Sequence, residues 1–282
     1  MISYVKIQDL LREVVNAKYK TNVVLSGINA LDEAFARLYP ESLIIIGARP
    51  GMGKTALALN IAQCSAADAG ASVMIFSLEM SRERIAHRLL SMKARVEMSK
   101  IKTWDIEAKD VEKINYALNE LGKTKIVVDD TPNISIEQMR DKCRKLKHEQ
   151  GLDIVIIDYL QLIAQERDIR TCADDKTDLI RELKILAREI GCHVIVTSQL
   201  SRKLETRKNK WPEITDFNDP DAIKQYADVV ALLYRDDYYH WNSDRPGTCE
   251  IDVVQNKNGP IGTIDLVWID KWLKLCDWPL II

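Results

Sequence analysis

The sequence has no surplus of charge of either sign, no paired-cysteine motif and no long apolar run, and each lack removes a class of function. Across 282 residues, 40 Lys and Arg stand against 42 Asp and Glu, a formal net charge of −2. A chain so balanced has no global pull toward nucleic acid or a membrane surface, so any contact with a polyanion must be local. Six cysteines, at 64, 143, 172, 192, 249 and 276, are scattered without a CxxC, and the start lacks the charged-then-apolar pattern of a secretory signal. Neither a disulfide framework nor a zinc site is suggested, and a reducing cytoplasm is the expected compartment. The four histidines, His87, His148, His193 and His240, share no ligand-like spacing. Apolar runs such as 43–46 and 154–157 fall far below the roughly 20 residues that cross a bilayer. No membrane partner is expected. Internal repeats, low-complexity tracts and a linker after residue 22 are missing too, which points to one domain, 22–282, preceded by an arm, 1–21.

What is present is enough apolar material for a core, 46% hydrophobic against 29% charged. In the arm, Ile2, Val5, Leu10, Leu11, Val14 and Val15 recur at near-helical spacing, as in an amphipathic helix that packs on its own domain or on a neighbouring copy. From Ser42 onward, short apolar runs at 43–47, 73–77, 125–128, 154–158, 193–197 and 229–233 read as strands. They alternate with helical stretches at 54–69, 82–92, 106–121, 136–150 and 176–190. That alternation predicts an α/β fold with a buried parallel sheet. The tail differs: 249–254, 263–269 and 272–276 alternate, and breaks at Gly259-Pro260 and Asp270 read as turns, so an antiparallel extension of the sheet is expected. The tryptophans at 104, 241, 268, 272 and 278 read most simply as core or interface residues.

The strongest chemical signal follows the first strand. Ala48-Arg49-Pro50-Gly51-Met52-Gly53-Lys54-Thr55 is a phosphate-loop pattern with Ala in the place of the usual first Gly, and it runs into a helix at Ala56. Glycines let consecutive N–H groups turn toward one anion, the helix start adds a positive dipole end, and Lys54 reaches the outer phosphates. The Thr55 hydroxyl is the expected ligand of Mg²⁺ accompanying ATP. Ligands of a parallel sheet sit beyond the carboxyl ends of its strands. Three further runs end there in polar groups: Glu79 after 73–77, Asp158 closing 154–158, and Gln199 after 193–197. Asp158 is the expected partner of the metal, Glu79 the general base for the attacking water, and Gln199 an amide that contacts the γ-phosphate.

These residues, with Ser77-Leu78-Glu79-Met80, Ile157-Asp158-Tyr159-Leu160, Ser198-Gln199-Leu200-Ser201, Leu233-Tyr234-Arg235-Asp236 and Asn258-Gly259-Pro260-Ile261-Gly262, resemble in order the motifs of the DnaB-type replicative helicase motor domain. The resemblance runs from about residue 25 to about residue 272. It implies a RecA-like ATPase that assembles a ring of six, hydrolyses ATP between subunits and moves 5′ to 3′ along single-stranded DNA in replication. It makes Arg88 an arginine near the nucleotide and the arm a linker helix that docks on the adjacent motor. Because the chain starts at that linker, the family's amino-terminal primase-binding domain is expected to be missing. Where the family presents a lysine and an arginine finger to the neighbour's γ-phosphate, this sequence has Gln255, Asn256 and Lys257, and slower hydrolysis is expected because a lysine lacks the planar fork. The family's basic DNA loop is here acidic, Asp216 to Asp221, leaving Asn218, Asp219 and Asp221 as backbone contacts. Arg202, Lys203, Arg207, Lys208 and Lys210 around Trp211 are the expected compensation, cations beside a stacking ring. A loader or other replication protein is a further implied partner. The alternative is a RecA-like ATPase that uses the nucleotide as an assembly switch without unwinding.

Overall fold

The structure, a computed structural model, describes residues 6–8, 11, 24–35, 38–163 and 174–277. The expected arm falls almost wholly outside the described residues. Nine strands form one sheet in the order β3-β2-β4-β5-β1-β6-β7-β8-β9. They are β1 (Leu43–Ala48), β2 (Ser72–Ser77), β3 (Lys125–Asp129), β4 (Ile154–Asp158), β5 (His193–Gln199), β6 (Val229–Tyr234), β7 (Thr248–Asn256), β8 (Gly262–Ile269) and β9 (Lys274–Asp277). The first six are mutually parallel, and β7, β8 and β9 continue antiparallel from β6. The expected fold class holds, including the antiparallel tail.

Period-two alternation decides which face each side chain fills. In β1, Ile44 and Ile46 point into one core with Ile154, Ile156 and Ile195, while Leu43 and Ile45 point into the other with Val155, Val194 and Val230. All of these are 0% exposed, and each such side chain contributes about 1.5–3 kcal/mol by leaving water. The first face is covered by α2 (Lys54–Asp68) and α3 (Arg82–Ala94). The second is covered by α6 (Ile136–Gln150), α7 (Asp174–Ile190) and α8 (Pro220–Tyr226). A third, smaller core joins the end of α3 to α4 (Met98–Thr103) and α5 (Ala108–Gly122) through Ala94, Val96, Ile101, Ile114 and Ala117. Short helices α1 (Asn29–Phe35) and α9 (Asp236–Tyr239) complete the order.

Several boundaries differ from the sequence reading for identifiable reasons. Helix α6 begins where expected because Ser135 and Gln138 form a reciprocal capping box. The stretch read as an open acidic DNA loop instead enters α8 at Pro220. Asp219 is its N-cap, accepting from the Ala222 N–H at 3.0 Å, the pairing of Asp before Pro that starts helices. Trp272, expected at the head of the last strand, sits in a single 3-10 turn, Asp270–Trp272, before β9. Of the tryptophans, Trp268 is 9% exposed and belongs to the core, whereas Trp104 and Trp241 are exposed.

Candidate nucleotide site

Sheet order explains why residues far apart in sequence meet. Strand β4 lies between β2 and β5, and β5 lies beside β1. The register aligns Ser77 with Asp158 and Ala48 with Gln199. The segments that follow β2, β4, β5 and β1 therefore leave one edge together, and a cavity of ≈ 460 Å³ opens there. Pro50, Gly51, Gly53, Lys54, Thr55 and Ala56 line it from the loop, with Glu79, Arg88 and Gln199 from the neighbouring elements.

The loop is shaped to present its N–H groups. Gly53, at φ 104, is the left-handed cap from which α2 starts, and no side chain competes for the free amides there. At Gly51, φ +81, an added Cβ would stand 2.6 Å from the Tyr238 ring, so the backbone passes directly beneath that phenol. The Lys54 ammonium donates to the Ala48 and Arg49 carbonyls at 3.0 and 3.2 Å. Burial pushes its pKa down to about 8, against the pull of Asp158 and Glu79. An anion in the loop would favour the charged form. Thr55 Oγ1 donates to Asp158 Oδ2 at 2.7 Å, and Thr197 donates to the other carboxylate oxygen. A hydroxyl and a carboxylate side by side are hard oxygen donors that suit Mg²⁺, an ion that keeps several waters and needs few protein ligands. Burial lowers the Arg88 pKa below the ordinary arginine value, opposed by Asp158, while Arg84 adds like charge one turn away.

Two loop residues do not face the cavity. The guanidinium of Arg49, expected among the phosphate-binding groups, turns to the far side, where it donates to the Leu200 carbonyl and to Glu205. Met52 is 1% exposed and packs under the loop. Neither side chain lines the cavity. Conversely, Arg84, Tyr159, Tyr238, Trp268 and Leu273 line the cavity without having been singled out as site residues, and Arg235 lines it with them. Arg84 stands four residues before Arg88, so helical spacing could have found it. Trp268 and Leu273 come from the antiparallel tail, which carries no local signal. Arg235 lies over the Trp268 ring at 4.7 Å and pairs with Asp237. Tyr234 is 8% exposed between Trp211 and Tyr239, a core residue.

The matching family model is the DnaB-like helicase C terminal domain, over residues 23–277. The chain belongs to that family. It is 39% identical to the replicative DNA helicase DnaC of Bacillus subtilis over 96% of this chain and 60% of that protein. It is also 40% identical to the replicative DNA helicase DnaB of Geobacillus stearothermophilus over 88% of this chain and 55% of that protein. It thus spans somewhat more than half the length of these relatives. A solved ATPase domain superimposes with a TM-score of 0.89 at 31% identity, covering 98% of this chain and 99% of that one. A DnaB-like replicative helicase studied for its interactions with primase superimposes at 0.84 and 30% identity, covering 98% of this chain and 67% of that one.

The remaining expected residues of this family member lie elsewhere. Val229 at the start of β6 pairs with Asn256, so residues 255–257 sit at the opposite edge of the sheet from the phosphate loop. Gln255 donates to the Lys224 and Ala227 carbonyls, Asn256 to those of Ala34 and Pro260, and Lys257 to that of Gln225. Among the basic residues, Arg202, Lys203 and Lys208 are exposed. Arg207 is not free for DNA, because it donates to Asp216 at 2.8 Å and to the Trp211 carbonyl at 2.7 Å. The Trp211 ring is likewise committed, packed on Tyr234 with centroids 5.1 Å apart. It is not the open stacking surface that its basic neighbours suggested. Asn218 is exposed; Asp219 serves as the cap of α8, and Asp221 lies in its first turn.

Proposed function

We propose that the chain is an ATP-hydrolysing helicase motor for DNA replication, working as one subunit of a ring, six by resemblance, that moves 5′ to 3′ along single-stranded DNA. The observation that carries this reading is the convergence of Lys54, Thr55, Asp158, Glu79 and Gln199 on one sheet edge, with the Thr55 hydroxyl bonded to the Asp158 carboxylate. The N–H groups of Gly51, Gly53, Lys54 and Thr55 and the Lys54 ammonium hold the phosphates, while Arg88 adds charge beside them. Thr55 and Asp158 would hold Mg²⁺, which when bound offsets phosphate charge. Glu79, exposed at the cavity, takes the proton of the attacking water. Gln199, whose backbone is clamped by Gln161, reports the γ-phosphate. Residues 255–257, remote from their own chain's cavity, serve a neighbour's, with Lys257 as the exposed cation. Arg202, Lys203 and Lys208 hold the strand's phosphates, with the backbone around Asn218 beside them. Such a motor works in the cytoplasm of a bacterial cell, alongside a loader or other replication proteins.

A water-activating carboxylate has no use in a pure assembly switch, so Glu79 also favours this reading over that alternative. The test places wild type and Glu79→Gln on forked DNA with ATP while particle mass is followed. Wild type is expected to separate the strands as an assembly. The variant is expected to bind nucleotide and DNA but hydrolyse about 10²–10⁴-fold more slowly. An assembly that binds DNA and hydrolyses ATP yet never separates strands would overturn the reading.

A further inference from the structure

Arg49 belongs to the phosphate loop, yet its side chain is 6% exposed on the side away from the phosphates. Its Nε donates to Glu205 Oε1 at 2.9 Å and its Nη1 donates to the Leu200 carbonyl at 2.8 Å. The backbone adds a link at the same place, the Leu200 N–H donating to the Ala48 carbonyl at 3.2 Å. Residues 48 and 49 are thereby bonded to both ends of the segment 200–205. That segment covers all but the last residue of the 3-10 turn Arg202–Thr206, in which Leu204 is buried while Arg202 and Lys203 face solvent. The residue before it, Gln199, is held from the 3-10 turn Leu160–Leu162 that follows β4, because the Gln161 amide donates to the Gln199 carbonyl and Ser198 Oγ and accepts from the Gln199 N–H.

An aromatic wall backs this junction. Trp211, Tyr234, Tyr239 and Tyr238 follow one another with ring centroids 5.1, 5.9 and 5.6 Å apart, and the last ring lies over Gly51. The Tyr239 hydroxyl is buried without a hydrogen-bond partner. Stability does not account for the Arg49–Glu205 pair. Glu205 is 44% exposed, so water screens the attraction, while taking a guanidinium out of water carries a penalty that an apolar side chain would avoid. A link with one dry end on the loop and one wet end on the turn is suited to motion. The carboxylate can trade its partner for water at little cost.

We propose that Arg49 and Glu205 are a positioning pair that carries movement of the phosphate loop to the Arg202–Thr206 turn, so that the grip of Arg202 and Lys203 on a DNA strand follows the state of the nucleotide. This rests on the function proposed above and deepens it. Neither group touches the reacting atoms.

The experiment measures the affinity of the full chain for a fluorescent oligo-dT strand, with Mg²⁺ and either ADP or a non-hydrolysable ATP analogue. Wild type, Glu205→Ala and Glu205→Gln are compared, and analogue affinity and the melting temperature are read alongside. Wild type is expected to discriminate between the two nucleotides by about five- to tenfold or more, the usual size of coupling between sites. Glu205→Ala should keep wild-type analogue affinity and melting temperature but lose most of that ratio. Glu205→Gln, which keeps an acceptor for Nε, should recover part of it. A Glu205→Ala protein that discriminates as wild type does overturns the pair's role and leaves the motor reading standing. A wild type whose grip on DNA ignores the nucleotide overturns the motor reading, and the pair's role with it.

Discussion

Lys54 shows how burial sets up a residue for its ligand. Its ammonium sits at about pKa 8 before any phosphate arrives, and a bound anion favours the charged form and raises that value. Below pH 8 the lysine is already charged and binding moves no proton. Above it, binding must take one up, so affinity falls as pH rises, by as much as about tenfold per unit. Calorimetry of nucleotide binding at pH 8 in two buffers of different ionisation heat should show uptake of about half a proton; identical heats in both would rule this out. Lys54, Thr55 and Asp158 were legible in the sequence because a strand, a glycine-bearing loop and a helix in direct succession leave little choice about where their side chains go. The direction of Arg49 was not. Both flanks of a loop are open to a side chain, and its partners, Leu200 and Glu205, lie more than 150 residues away.

At the scale of elements, one ring packs the end of the loop between β5 and α8 against the sheet. Phe217 is 4% exposed, and a Cβ on Gly47 of β1 would lie 2.4 Å from its Cζ. The ring therefore occupies the space that glycine leaves in the strand beneath it. Phe217→Ala should cost about 3–5 kcal/mol of unfolding free energy, read from the midpoint of denaturant unfolding, and a loss under about 1 kcal/mol would show that the ring is not the anchor. The long helices were legible because 13 or more residues display a period of 3.6 over several turns, and the strands because short apolar runs stand between them. Helices α1, α4 and α8, at 7, 6 and 7 residues, show fewer than two full turns and no such period. At α8 the Asp219-Pro220 start signal was present, but the acidic run around it drew the reading toward a loop.

For the whole molecule, the sheet puts the phosphate loop on one edge and residues 255–257 on the other, so a single chain cannot bring them together. The consequence is testable by mixing. Glu79→Gln protein keeps Lys257, and Lys257→Ala protein keeps Glu79. Each alone should hydrolyse ATP poorly, while a mixture should regain activity, because some interfaces pair an intact base with an intact lysine. Activity that stays at the level of the separate variants would remove Lys257 from the neighbour's site. The antiparallel tail was legible as strands from its alternation and its Gly259-Pro260 break, but not as part of the cavity. Only the fold shows that Trp268 and Leu273 line the cavity. A chain emerges from the ribosome amino end first, and the loop, the acids and Gln199 are all complete by residue 199. The wall that completes their cavity is not made until residue 273, so a nascent chain carries an open, half-built pocket until the antiparallel strands have been added.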